Sequence, residues 1–206
     1  MRILGIDPGL TRCGVGIISV GAARKLTFEH VEVLVSAADL PIEQRLVKIG
    51  GALARILDGP EPPDQIALER VFAQDNVASV MGVAQISGVA LFLAAQRSIP
   101  IRLYTPNEIK LQVTGYGAAD KTQVTTMVTR LLGLAAPPKP ADAADALALA
   151  ITHAWQLARS GAVGSSAGNG VENIPVTGNF GALTPAQQAW AAAEQKAGRR
   201  RRGMRR

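Results

Sequence analysis

The sequence predicts an α/β domain built on a mixed β-sheet, and two features of its 206 residues lead to that prediction. Three short segments rich in β-branched residues open the chain, and tight turns join them, as in an antiparallel meander. The apolar period then changes, and short strands alternate with longer helical segments. Hydrophobic residues make up 48% of the chain, which is enough to bury one good core.

The elements follow in a simple order. The first three strands are RILGID, GVGIISV and LTFEHVEVLVS, and the helix PIEQRLVKIGGALARIL packs on them. A fourth strand runs from Gln65 to Glu69, and a long helix of small residues follows it, with Asp75 or Asn76 as its cap. After the fifth strand, IPIRLY, Thr105 begins a helix through a capping box. Asp120 caps the next helix, and ADAADALALA opens the last one.

The positive charge of the chain is concentrated at its end. Residues 1–159 hold 15 Lys and Arg against 14 Asp and Glu, whereas residues 160–206 hold 7 against 2. Beyond residue 160 the composition shifts to Gly, Ser and Asn and ends in RRRRGMRR. We therefore predict a domain over 1–160 and a disordered basic tail over 161–206, which either contacts phosphates or is simply solvated.

Composition also narrows the cellular context. Cys13 is the single cysteine, so an internal disulfide is impossible, in agreement with a reducing compartment. No stretch approaches the roughly 18 uninterrupted apolar residues of a membrane span, and no signal-peptide pattern opens the chain. We expect a cytoplasmic protein without a membrane partner.

Four carboxylates occupy unusual positions. Asp7 ends an apolar strand, Glu69 ends another, and Asp142 and Asp145 lie three residues apart on one helix, which places them on one face. Each has an ordinary alternative: Asp7 as a turn residue before Pro8, Glu69 as a solvated surface acid, and Asp142 as a helix cap. Asp145 lies among alanines and leucines, where a lone charge gains nothing.

The positions of all four carboxylates would be explained if they lie at one site. If the strands of Asp7 and Glu69 are parallel neighbours and the last helix crosses their ends, the four carboxylates converge and repel one another. Divalent cations relieve that repulsion, and oxygen ligands favour Mg²⁺ or Mn²⁺ over zinc. Two such ions about 3.5 to 4 Å apart can promote in-line hydrolysis of a phosphodiester.

The motifs GIDPG, ALERVF, NEIKLQVTGYGAADKTQV and ADAADALALAITH, in this order, make the chain resemble the RuvC family of Holliday-junction resolvases. The resemblance covers about residues 2–153. It implies the ribonuclease H-like fold, with a mixed five-stranded sheet flanked by helices. It also implies a homodimer that nicks a four-way DNA junction symmetrically, together with the branch-migration proteins RuvA and RuvB. The basic tail is not part of the family pattern.

The resemblance also implies roles for single residues. Asp7, Glu69, Asp142 and Asp145 match the metal-binding catalytic acids, which would hold two Mg²⁺ ions, with Mn²⁺ as a substitute. Lys110 and Lys121 match basic positions near the scissile phosphate, Lys121 within the catalytic set, and Phe72 matches an aromatic that stacks near the crossover. Because the body is nearly neutral, DNA binding must come from local cations, and we add Arg12 and Arg70 to the two lysines on that ground.

Two other functions remain open at this point. An ATPase of the actin and heat-shock type also begins with a strand, an Asp and a glycine turn, but it needs a second such lobe. A ribonuclease H-like module could bind nucleic acid without cutting it, or could cut RNA. The complete acidic quartet argues against a module that only binds, and a comparison of junction, duplex and RNA hybrid cleavage would separate the remaining functions.

Overall fold

The computed structural model describes residues 1–71 and 77–160. The predicted five-stranded mixed sheet is present in the order β3-β2-β1-β4-β5. The strands are β1 (Arg2–Asp7), β2 (Arg12–Val20), β3 (Leu26–Val35), β4 (Gln65–Glu69) and β5 (Ile101–Tyr104). The first three form the expected antiparallel meander, whereas β4 and β5 join the sheet in parallel with β1.

Five α-helices flank the sheet in the described part of the chain. They are α1 (Ile42–Leu57), α2 (Val77–Gln96), α3 (Pro106–Thr114), α4 (Lys121–Leu131) and α5 (Ala141–Ser160). The capping boxes predicted at Thr105 and Asp120 are both present, with the side chain of each accepting a backbone N–H three residues on. The candidate caps of α2, Asp75 and Asn76, lie outside the described residues, as does the region 161–206.

Alternation along the strands divides the core into two clusters, one on each face of the sheet. Leu4, Ile6 and Cys13 belong to the cluster that includes the buried residues of α1 and α2. Ile3 and Ile18 belong to the cluster that includes α3, α4 and α5. Because successive side chains of a strand point to opposite faces, Asp7 and Glu69 lie on the α5 face.

Helix α5 packs very closely on this face. Its residues from Ala146 to Ile151 are completely buried. A Cβ atom placed on Gly5 or Gly14 would overlap the α5 backbone, at the carbonyls of Ala146 and Asp142 respectively. Glycine on β1 and β2 therefore lets the backbone of α5 lie directly against the sheet and brings the start of α5 next to the end of β1.

Cys13 is fully buried in the α1 and α2 cluster, and burial raises the pKa of its thiol to about 12. This cysteine therefore packs as a small hydrophobic residue. None of the helices in 1–71 and 77–160 is both long and apolar enough to cross a membrane.

Candidate active site

Asp7 and Glu69 end two neighbouring parallel strands. Ile6 pairs with Leu68 in the register of β1 and β4, so the next residue of each strand is an acid. Both acids lie at the carboxyl edge of the sheet, where the sites of open α/β folds occur. The parallel pairing that the sequence analysis required is present.

A cleft opens at this edge of the sheet. Asp7, Glu69 and Asp145 supply its carboxylates, and Lys110 and Lys121 supply its cations; Pro106, Ile109 and Val124 complete the lining. Its volume of about 160 Å³ has room for several ions or water molecules. Five of the nine residues predicted for the site therefore line one cavity.

The pKa values of the two partly buried carboxylates at the strand ends are both raised. Burial raises the pKa of Asp7 to about 8, and a hydrogen bond with the Glu69 side chain and the negative charges of Asp145 and Asp142 act in the same direction. Burial also raises the pKa of Glu69, and its hydrogen bond with Asp7 opposes that rise. Without a cation, the Asp7 and Glu69 pair therefore retains a proton near neutral pH.

The two carboxylates of α5 each lie against a basic side chain. Lys121 Nζ is 3.2 Å from Asp145 Oδ2, and this carboxylate raises the pKa of the lysine. Arg12 Nε is 2.7 Å from Asp142 Oδ2. The negative charge of Asp142 also acts on Asp7. Asp142 nevertheless lies beside the cleft and does not line it.

The side chains as they stand do not form a ready-made metal cage. In residues 1–71 and 77–160, no three acidic, histidine or cysteine side chains are grouped in a way that could hold an ion. The predicted convergence of the quartet is therefore only partial: the four acids share one neighbourhood, but Asp142 and Asp145 are paired with Arg12 and Lys121. A cation that binds all four carboxylates would compete with these pairings.

The remaining predicted residues are less central. Arg70 is exposed directly after β4, where its backbone N–H donates to Tyr104 O, and it does not line the cleft. Arg12 contacts Asp142, a pairing that the sequence analysis did not foresee. Phe72 lies outside the described residues.

A buried polar network behind the site was also missed. The Tyr104 hydroxyl lies 2.7 Å from His153 Nδ1, and His153 Nε2 lies 3.4 Å from Gln65 Oε1. Burial, assisted by the positive charge of Arg102, lowers the pKa of His153 to about 4, so the imidazole is neutral. The network ties α5 to β4 and β5, which gives His153 a structural role. A histidine late in an apolar helix was the available signal, but its partners could not be read from it.

The mixed five-stranded sheet flanked by helices is that of the ribonuclease H-like class, and the acidic cleft at its carboxyl edge suits the nucleases of that class. The family model for "Crossover junction endodeoxyribonuclease RuvC" matches residues 3–153. The chain belongs to this RuvC family, whose members are metal-dependent nucleases.

Relatives of the same name match almost the full chain. The protein of Leifsonia xyli is 53% identical over 204 residues, covering 97% of this chain and 94% of its own length. The protein of Paenarthrobacter aurescens is 52% identical over 201 residues, covering 98% and 99%. Among solved structures, Thermus thermophilus RuvC in complex with a Holliday junction substrate is 34% identical, with a TM-score of 0.72, and covers 78% of this chain and 96% of its own. The yeast mitochondrial Holliday junction resolvase, at 18% identity and a TM-score of 0.55, shares the fold.

Proposed function

We propose that this member of the family cuts DNA with Asp7, Glu69, Asp142 and Asp145. Family membership makes the chain an endonuclease that resolves Holliday junctions, and the residues that do so are our assignment. The observation that carries it is the placement of two perturbed carboxylates at adjacent strand ends, in one cleft with Asp145 and two lysines. Symmetric nicks would leave a 3′ hydroxyl and a 5′ phosphate.

The residues present fit divalent metal ions. All four candidate ligands offer hard oxygen atoms, the kind that Mg²⁺ and Mn²⁺ prefer. Asp142 Oδ2 is buried and, although Arg12 Nε lies 2.7 Å from it, accepts no hydrogen bond in the described structure, which leaves an acceptor available. We propose two Mg²⁺ ions per site, replaceable by Mn²⁺. When bound, they would activate water and stabilise the leaving oxygen of the phosphodiester.

The basic side chains serve the phosphate backbone in this proposal. Lys110 and Lys121 line the cleft that the carboxylates occupy, so their ammonium groups can attract the scissile phosphate and its neighbours. Arg70 and Arg12 add positive charge beside the cleft. Stacking by Phe72 near the crossover stays a prediction, because this residue lies outside the described part of the chain.

Helix α2 supports the predicted homodimer. Ile86, Ala90 and Ala94 on one face are buried in the core. On the opposite face, Met81 is 55% exposed and Phe92 is 61% exposed, with Gln85 and Gly88 between them. Two exposed large apolar side chains on an otherwise ordinary core helix suit contact with a second copy, which would supply the two matched sites that a symmetric junction needs. We expect Phe92→Glu to shift the protein to a monomer in sedimentation, with the fold retained; an unchanged dimer would place the interface elsewhere.

Two further assignments follow from the family. We propose that the chain acts on junctions processed by RuvA and RuvB, and that it does so in the cytoplasm. Both proposals are supported by the resemblance of the motifs, and co-purification with tagged RuvA and RuvB would test the first.

A substrate comparison tests the central proposal. Labelled four-way junction, linear duplex and RNA–DNA hybrid would each be incubated with the full chain in Mg²⁺, in Mn²⁺ and in EDTA. We expect symmetric nicks in the junction alone, and only with a divalent cation. Asp7→Asn should bind the junction without cutting it, whereas the exposed control Asp39→Asn should cut like the parent. Equal cutting by Asp7→Asn, or preferred cutting of the hybrid, would contradict the proposal.

A further inference from the structure

Arg12 occupies a defined position beside the candidate metal site. It begins β2 on the α5 face, since it shares the alternation of Gly14 and Ile18, and Gly14 abuts α5 at Asp142. Its side chain is 50% exposed, whereas that of Asp142 is 26% exposed, so a partly buried carboxylate meets a cation that reaches it from the solvent side.

The contact is close but poorly aligned. Arg12 Nε and Asp142 Oδ2 are 2.7 Å apart, within the distance of an ion pair. Yet Oδ2 has no hydrogen bond that satisfies the angular criteria, so the approach is short and the geometry is not that of a donor aimed at a lone pair. The guanidinium therefore neutralises the carboxylate by charge and leaves its lone pairs available to a stronger ligand.

The backbone next to Arg12 is anchored. The Ser36 hydroxyl donates to Leu10 O, and the Ser36 N–H donates to Thr11 O at 3.1 Å. Arg45 binds the Thr11 and Ser36 side-chain oxygens at 2.6 and 3.1 Å. The turn that precedes β2 is thus fixed on several sides, and a change of partner at Arg12 would be a movement of its half-exposed side chain alone.

We propose that Arg12 is an internal counter-ion for Asp142, which it releases when a divalent cation binds and after which it contacts a DNA phosphate. The inference rests on the proposed metal-binding role of Asp142. It assigns Arg12 two successive anionic partners, a carboxylate in the metal-free protein and a phosphate in the loaded complex. It also accounts for a site that holds four acids in one neighbourhood without a formed metal cage.

Metal affinity without DNA is the first test. Mn²⁺ would be titrated calorimetrically into the full chain, Arg12→Gln and Arg24→Gln. Arg24 is exposed in the turn after β2, at the far end of that strand, so its substitution changes the net charge equally but leaves the site intact. Because the competing ion pair is half-exposed, we expect Arg12→Gln to bind Mn²⁺ about two- to fivefold more tightly. Affinity equal to or weaker than that of the parent and of Arg24→Gln would overturn the inference.

Salt dependence of junction binding is the second test. Affinity for a labelled four-way junction would be measured against salt concentration in Ca²⁺ and in EDTA. In Ca²⁺, Arg12→Gln should reduce the slope of log affinity against log salt by about 0.9, the value for one lost phosphate contact. In EDTA the slopes of variant and parent should agree. A reduction of equal size in both conditions, or none in Ca²⁺, would refute the exchange of partners.

Asp142→Asn separates this inference from the function on which it rests. If Asp142→Asn leaves Mn²⁺ affinity unchanged, the proposed metal site is wrong. If it weakens Mn²⁺ binding while Arg12→Gln does not strengthen it, the site stands and only the counter-ion role fails. Circular dichroism melts in EDTA would confirm that both variants are folded.

Discussion

Replacing Asp7 by Asn should stabilise the metal-free protein while abolishing its activity. Burial, reinforced by the hydrogen bond with Glu69, raises the pKa of the Asp7 carboxyl from the ordinary 3.8 to about 8. The folded protein therefore keeps the proton over a pH range in which the unfolded chain has lost it. The contribution of Asp7 to stability therefore falls as pH rises from 3.8 to about 8 and levels off above that value.

The size of the effect follows from this pH window. Each pH unit within it costs about 1.4 kcal/mol, so at about pH 7 the ionisable group lowers the free energy of unfolding by about 4 kcal/mol. An asparagine does not ionise, and Asp7→Asn should recover up to that amount. For a chain of this size the gain corresponds to roughly 10 °C in Tm.

Urea unfolding in EDTA at about pH 5, 7 and 9 would measure this difference for the parent, Asp7→Asn and the exposed control Asp39→Asn. The gap between Asp7→Asn and the parent should widen from the lowest pH to the highest, and Asp39→Asn should follow the parent. Added Mg²⁺ should stabilise the parent and leave Asp7→Asn nearly unchanged. If Asp7→Asn is no more stable than the parent at neutral pH, with the same pH profile, burial does not control this carboxyl.

Three other substitutions test the packing of α5 on the sheet, the buried contact between Tyr104 and His153, and the cleft. Gly14→Ala should lower the free energy of unfolding by about 1 to 3 kcal/mol and weaken nicking, because its methyl group meets the α5 backbone; Gly51→Ala, where the methyl group meets nothing within 4 Å, is the control in the same melts. Tyr104→Phe leaves His153 Nδ1 without its buried partner and should cost about 1 to 3 kcal/mol in urea unfolding, with nicking by the folded fraction unchanged. Lys121→Gln should slow nicking roughly 100-fold, with Lys121→Arg less affected, in single-turnover assays; parental rates in the Gln variant would exclude a role for this cation.

Much of the fold could be predicted because its signals are local. The change of apolar period marked the meander and the helices after it, and the capping residues Thr105 and Asp120 marked two helix starts correctly. The meeting of Asp7 and Glu69 followed from a single topological assumption, the parallel pairing of their strands, and that assumption was right.

The partners of side chains across the sheet could not be predicted in this way. Arg12 was assigned to DNA from its charge alone, because nothing local shows that α5 brings Asp142 within an ion-pair distance of it. That contact depends on how closely a buried helix approaches two strands. The alternate glycines of GVG on β2 were the available sign of such an approach, since they remove side chains from one face only.

The division of the core by the sheet has a practical consequence for engineering. Residues at even positions of β1, such as Leu4 and Ile6, contribute to the hydrophobic layer on the other face of the sheet from the acids, whereas Gly5 and Asp7 face the reactive side. Directed evolution for heat tolerance would therefore begin by randomising the layer beneath α1 and α2, which contains none of the residues that line the cleft. The same library built on the opposite layer would gain heat tolerance at the expense of turnover.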